Sequence, residues 1–460
     1  MLFKRIKTEG LGQNSYFVGC GESKAAVIDP RRDIEEYLNI SRDSGLTITH
    51  ILETHRQEDF VYGTRALSEA TGATIVTGTH ELFGKSEKKL ADGEEIKIGT
   101  TRIKAFETPG HTPESVSYAV YLEDTGEKAW GVFTGDALFI GEAGRTDLPD
   151  PEKTAENAGI LYDSIHTKIV PLGDQTLLFP AHGSGSACGG NIADRDDSTL
   201  GLERAKNPAF ILSRREFVAH KEKETLPRPP YFKNMEKVNL RAGEPMPERK
   251  TFKILQPKNF QEEAKGGIVI DTRSPEAFAG GHVPGSYSIW MKGLSTFGGW
   301  VANEATKIFL VVDASHHVEK SILALSRIGL DNIGGFLVEG LESWSEEGLP
   351  MERINTTTAL EATRLFANSQ AHILDVRDDM EWYEEHIPGA LHTYVGYLDN
   401  NPPNVSKEDE LIVHCSVGHR SSLACSILKR QGFNHVTNLL GGLTAWKKLE
   451  LPIEKNKEAA

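Results

Sequence analysis

Apolar residues in this chain come in short runs, bounded by turn-forming residues and separated by stretches of helical spacing. In the N-terminal part "SYFVGC", "AAVID", "TRIKAFETP" and "AWGVFTG" read as strands interspersed with helices, the pattern of a layered α/β fold. In the C-terminal part "IFLVV" and "ELIVH" alternate with helical stretches, which predicts doubly wound parallel sheets.

The C-terminal pattern occurs twice. "IVIDTRSPEAFAGGHVPGSYSI" around Asp271 is echoed by "HILDVRDDMEWYEEHIPGALHT" around Asp375, and "LVEGLESWSEEGLP" by "LLGGLTAWKKLELP". Each copy carries a short strand, Asp-x-Arg, a polar helical stretch and His-[Val/Ile]-Pro-Gly. The copies lie about a hundred residues apart, which suits two complete domains rather than solenoid units. Three modules are expected, at 1–245, 253–355 and 356–456. The Pro-rich "ETLPRPPYFKNMEKVNLRAG" is expected to wrap the first module, and "EPMPERK" to connect it to the second.

A chain of 460 residues is too long for one core. Its net charge of −15 argues against nucleic acid or an anionic membrane as the main partner, since neither suits an acidic docking face. No apolar run approaches the roughly 18 residues of a spanning helix. "MLFKRIKTEG" lacks the apolar core of a secretory signal. The four cysteines are too few for a disulfide framework and read as thiols, so a reducing cytoplasm is the expected location.

Three places in the first module can supply metal ligands: His55 in "ETHRQED", His111 in "TPGHTPES" and Asp136 in "FTGDALF". Each follows a predicted strand, where a loop can aim a side chain across a cleft. Two imidazoles and one carboxylate form a facial triad that suits non-haem Fe(II) and leaves positions open for substrate and dioxygen. On these motifs the module resembles the metallo-β-lactamase superfamily, and within it the persulfide dioxygenases. The superfamily's hydrolases carry His-x-His-x-Asp-His. Here His55 and Asp59 hold their places, while Gln57 and Phe60 replace the second and third histidines. The resemblance implies an αββα sandwich with one Fe(II) per chain on His55, His111 and Asp136. "GEAGRTDLP" matches a segment of the dioxygenase branch and places Arg145 and Asp147 near the pocket. His182 of "LFPAHGSGSACG" is expected to hydrogen-bond behind the metal. Gln57 departs from the histidine many dioxygenases keep. Cys188 is either a buried small residue or a pocket thiol that takes up persulfide sulfur. Cys20 reads as core packing.

The second repeat carries "ELIVHCSVGHRSSLACSILKRQG": a strand, Cys415, a short turn and a helix opening near Arg420. Such a turn is a cup of backbone N–H groups at the positive end of a helix, which holds anionic sulfur. It serves sulfur transfer or phosphoester hydrolysis. Phosphatases place five residues between cysteine and arginine; here there are four, Ser416, Val417, Gly418 and His419. This loop and the repeat's markers resemble the rhodaneses. Cys425 reads as structural. In the first repeat Ala314 is expected where Cys415 should be, with Lys320 closing the loop, so that copy is expected to be inactive. His316 and His317 read as solvent-facing.

The whole chain resembles the multidomain persulfide dioxygenase–sulfurtransferases. That implies oxidation of a low-molecular-weight persulfide (glutathione, coenzyme A or bacillithiol type) by O₂ to sulfite and thiol. It further implies sulfur transfer through Cys415 that forms or consumes thiosulfate, in sulfide detoxification by a homo-oligomer. The alternatives are a zinc thioester hydrolase of the glyoxalase II type, a sulfurtransferase with an inert metal module, and a sulfur carrier.

Overall fold

Eleven strands of the first module stack as two facing sheets. The computed structural model describes residues 2–247, 252–367 and 371–455, so residues 248–250 of the expected connector lie outside the described part. The chain divides into two compact units. One holds Met1–Glu224, Tyr231–Pro247 and Ser326–Gly329; the other holds Thr225–Pro230, Glu248–Leu325 and Leu330–Ala460.

In the first unit, β1 (Phe3–Thr8), β2 (Gln13–Gly19), β3 (Lys24–Ile28), β4 (Thr47–Leu52), β5 (Thr74–Gly78) and β6 (Lys88–Leu90) form one sheet in chain order. Its first two pairings are antiparallel and its last three parallel. The second sheet runs β11 (Leu177–Pro180), β10 (Gly131–Gly135), β9 (Val116–Tyr121), β8 (Thr101–Glu107) and β7 (Glu95–Ile98). Alternation along the strands decides the layers. Tyr16 and Val18 of β2 meet Tyr118, Val120 and Phe133 of the other sheet in the inner core. Phe17, between them in sequence, points outward against Tyr37, Ile40 and Leu67, which lie on the helices Glu35–Ser44 and Thr64–Thr71. The outer face of the second sheet is covered by the helix Thr154–Ser164, through Ala158 and Leu161. Four layers, αββα, result.

The second unit holds both repeats, each a five-stranded parallel sheet with the same strand order. The first runs Ile254–Leu255, Ile333–Leu337, Ile308–Val311, Ile268–Asp271, Tyr287–Ser288. The second runs Asn355–Thr357, Val436–Leu439, Leu411–His414, His372–Asp375, Leu391–His392. The repeated motifs have one structural job in both copies. Asp271 and Asp375 are buried, and each accepts the backbone N–H and guanidinium of the arginine two residues on. Trp344 and Trp446 each donate Nε1–H to a carbonyl six residues on, at 2.9 Å.

This register corrects one expectation. Asp271 pairs with Val311 as Asp375 pairs with His414. The following helices begin at His316 and His419, so the two loops are of equal length. The counterpart of Cys415 is therefore Val312, not Ala314, and that of Arg420 is His317, not Lys320. The loss of the nucleophile in the first copy stands.

Candidate functional site

His55, His111, Asp136 and His182 each follow a strand of the first unit: β4, β8, β10 and β11. The sandwich thus brings four distant segments to one rim. All four side chains are fully buried. The ligand atoms of His55, His111 and Asp136 lie within 4.8 Å of one another. Asp136 Oδ2 stands 3.7 Å from His55 Nε2 and 3.5 Å from His111 Nε2.

Hydrogen bonds fix which nitrogen of each ring faces the centre. His111 Nδ1 meets the carbonyl of Arg145 at 2.8 Å; a carbonyl only accepts, so Nδ1 carries a proton, and in the neutral ring Nε2 keeps its lone pair. His55 Nδ1 lies 3.0 Å from Thr54 Oγ1, whose own proton goes to Asp29 Oδ2 at 2.7 Å. That hydroxyl therefore accepts from His55, and again Nε2 is left bare. Neither Nε2 has a hydrogen-bond partner, although both are buried. Two such atoms beside a carboxylate oxygen are costly unless a cation takes their lone pairs. This donor set fits a metal ion. Close packing holds it together: Gly135 has φ +54, and a Cβ there would sit 2.7 Å from Thr54 Oγ1.

Behind the triad His182 is clamped between two acids. Its Nδ1 donates to Asp136 at 2.8 Å, and its Nε2 to Asp59 at 2.9 Å. Burial opposes a charge there, but Asp136 and Asp59 together push the imidazole well above its ordinary range. Asp136 in turn is held well below the usual carboxylate range; burial acts against this, and His182, His55 and His111 together outweigh it. Cys188 is fully buried, with its sulfur in a group with Asp59 and His182, and burial pushes its thiol up. Gln57 is buried with Nε2 3.5 Å from His55 Nδ1, and Phe60 rings its edge toward His182. Arg145 is buried; its guanidinium is held by both oxygens of Asp147 at 2.7 Å and by the carbonyl of Ala187. Its contribution to the centre is the carbonyl that orients His111.

Three participants escape a sequence reading. Glu58 is buried with Oε2 3.7 Å from His111 Nε2, and burial pushes its carboxyl up. Asp29 closes the Thr54 chain, and its only signal is a carboxylate ending the run "AAVID". Asn239, on the tail helix Phe232–Asn239, donates to the carbonyls of Gln57 and Phe60 at 2.8 Å and accepts from Tyr62 N–H. The tail thus braces the metal turn.

The second site is the loop after Leu411–His414. Cys415 is 1% exposed; its sulfur accepts from Gly418 N–H at 3.1 Å and lies 3.6 Å from the Ser421 hydroxyl oxygen. Gly418 takes φ +112, which lets the loop turn its N–H inward before the helix His419–Arg430. Asn438 ties the cup down, donating to Gly418 O at 3.1 Å and accepting from Ser421 at 2.7 Å. Arg420 is bound by both oxygens of Glu381, and Ser416 bridges the pair. The first copy packs against the same helix. Ser288 meets Ser422 at 2.7 Å, and the Trp290 ring lies 4.9 Å from that of His419. Cys425 is buried in the helix. All four cysteines are free thiols.

Residues 8–182 match the metallo-beta-lactamase superfamily, and residues 256–347 and 358–449 each match the rhodanese-like domain. Fold and sites thus define a metallo-β-lactamase module joined to a pair of rhodanese-like domains. Bovine mitochondrial persulfide dioxygenase ETHE1 is 31% identical over 235 residues, 50% of this chain and 84% of that protein. The chain belongs to the metallo-β-lactamase superfamily, in the family of the ETHE1 persulfide dioxygenases, with two rhodanese-like domains following. A hydroxyacylglutathione hydrolase of Dictyostelium discoideum is 31% identical over 172 residues, 36% of this chain and 61% of the hydrolase. The crystal structure of a metallo-beta-lactamase from Staphylococcus aureus subsp. aureus COL superposes with a TM-score of 0.65 at 31% identity, over 73% of this chain and 98% of that one. Among the described residues no helix is long and apolar enough to cross a membrane.

Proposed function

We propose that residues 1–245 form a mononuclear Fe(II) persulfide dioxygenase, and that residues 356–456 form a sulfurtransferase acting through Cys415. Residues 253–355 are then an inactive copy that buttresses it. The reading rests on the two bare Nε2 atoms of His55 and His111 meeting Asp136 Oδ2. Two imidazoles and one carboxylate on one side favour iron and leave the opposite side open. When bound, iron would activate dioxygen and draw in the anionic sulfur.

The protein's own part is to orient and to exclude water. The Arg145 carbonyl and the Thr54–Asp29 pair hold the two rings, and His182 holds Asp136. Burial of all three ligands keeps bulk water from the sulfur. Glu58 Oε2, beside His111 and without a hydrogen-bond partner, is placed to give the departing thiolate its proton. The balanced reaction is RSS⁻ + O₂ + H₂O → RSH + HSO₃⁻. A cavity of about 200 Å³, lined by Gln13, Asn14, Ile140, His182, Ile192 and Arg195 among others, offers room for the thiol carrier. At the second site the Cys415 persulfide gives its outer sulfur to sulfite, forming thiosulfate and restoring the thiolate. The free cysteines suit a reducing cytoplasm.

A second reading is a two-metal thioester hydrolase. The group Asp59, His182 and Cys188 favours it. Against it stand Gln57 and Phe60, which supply no imidazole, and the existing bond of His182 to both acids. Metal content after anaerobic purification, with O₂ uptake on adding glutathione persulfide, tests the proposal. One iron per chain with uptake supports it; two zincs per chain with thioester cleavage refutes it.

A further inference from the structure

The two repeats are an internal control, because one keeps the fold without the nucleophile. Features present in both copies serve the fold: the buried Asp-x-Arg pairs and the tryptophan caps recur unchanged. Features confined to the second copy serve its chemistry. By the strand register these include Cys415 against Val312, Gly418 against Ser315 and Arg420 against His317. Another emerges from the Asp-x-Arg motifs. Counting from Asp271 and Asp375, Glu381 stands where the first copy has Ala277. The carboxylate is absent where the cation and the thiol are absent.

Its geometry says what it does. Arg420 presents Nη1 and Nη2 to both oxygens of Glu381, with Nη2 to Oε1 at 2.8 Å. The Ser416 hydroxyl donates to Oε1 at 2.9 Å and accepts from Nη2 at 2.8 Å. Asp378 Oδ2 stands a further 4.0 Å from Nη1. The helix Asp379–Glu384 is locked at this spot by a capping box, in which Asp378 and Glu381 bond each other's backbone N–H. Arg420 therefore cannot offer the cup an uncompensated positive charge. Neutral groups are what touch the sulfur: the Gly418 N–H donates to it, and the Ser421 hydroxyl oxygen lies 3.6 Å away.

We propose that Glu381 both positions Arg420 and sets the charge preference of the Cys415 cup, disfavouring doubly charged thiosulfate relative to a singly charged persulfide as sulfur donor. This rests on the sulfurtransferase reading above. In the favoured step the Cys415 thiol and RSS⁻ give Cys415–S–S⁻ and RSH: the S–S bond of the donor breaks, a new one forms to Cys415, and the proton leaves with the thiol. Thiosulfate would instead yield Cys415–S–S⁻ and sulfite from the thiolate. That approach brings one more negative charge toward a rim where Glu381 and Asp378 outnumber Arg420.

The test compares wild type, Glu381→Gln and Glu381→Ala in the full chain. Alkylation of Cys415 by anionic iodoacetate and by neutral iodoacetamide reads the local charge without any turnover, with Cys415→Ser as the blank. Glu381→Gln keeps a hydrogen-bonding side chain and removes the charge. It should raise the iodoacetate-to-iodoacetamide rate ratio about fivefold, and shift kcat/KM toward thiosulfate over mercaptoethanol persulfide, whose carrier is uncharged, by a similar factor. Glu381→Ala, which also releases Arg420, should lower kcat with both donors. An alkylation ratio in Glu381→Gln equal to that of wild type overturns the proposal. Absence of sulfur transfer in wild type would instead remove the sulfurtransferase reading, and the alkylation ratio would still decide what Glu381 does.

Discussion

The backbone carbonyl of Arg145 accepts Nδ1–H of His111 at 2.8 Å, and this bond decides which nitrogen of the ring faces the centre. The loop that carries the carbonyl is anchored by the Arg145 side chain on Asp147 and Ala187. Loss of such a partner behind a metal ligand commonly weakens binding 10–100-fold. Asp147→Asn should therefore lower metal affinity by roughly 10-fold. Competition against a chelator measures this, with circular dichroism showing that the apo fold is unchanged. Affinity equal to wild type would mean that the loop holds its position without the ion pair.

The two sites lie on separate units with separate residues. Cys415→Ser should abolish sulfur transfer while O₂ uptake with a persulfide stays within about twofold of wild type. His111→Ala should do the reverse. Parallel loss of both activities in either variant would contradict two independent sites.

Placing a thiol in the first copy should not create a second transfer site. Val312→Cys creates a cysteine at the place of Cys415, but Ser315 stands where Gly418 takes φ +112, and His317 and Ala277 stand for Arg420 and Glu381. A Val312→Cys variant in a Cys415→Ser background should show less than about 1% of wild-type transfer. Activity near the wild-type level would show that the cup does not need its glycine turn or its ion pair.

Glu142 is buried between Lys221 and His220, and its carboxyl is pulled down to about 2; burial opposes this, and Lys221, His220 and the Ala143 N–H together outweigh it. A folded pKa below the ordinary carboxylate value means stability that is present above about pH 4.5 and lost as pH falls toward 2. Glu142→Gln should cost on the order of 3 kcal/mol at neutral pH, and it should flatten the fall of stability across that window. Denaturant midpoints measured between pH 2 and 7 check both. An equally steep fall in the variant would place the acid sensitivity elsewhere.

The sequence by itself determined the layered and parallel sheets, the candidate ligands His55, His111 and Asp136 that the fold brings together, and the cysteine loop. Each of these is local: an apolar run ends, a turn follows, and a His, Asp or Cys stands at a fixed offset from it. Strand periodicity even separates the faces of Gln13–Gly19, where Tyr16 and Val18 turn inward and Phe17 outward. The tertiary structure decided everything that depends on pairing between distant segments. The counterpart of Cys415 came from sheet register: Asp271 pairs with Val311 as Asp375 pairs with His414, which makes it Val312 rather than Ala314. Asn239 reaches Gln57 across 182 residues, and Trp290 reaches His419 from another domain; no spacing encodes either contact. Arg145 and Arg420 read alike in sequence, as cations beside a site. Only packing shows that each is already held by a carboxylate, Asp147 and Glu381, since a charge carried into the interior must find its partner there.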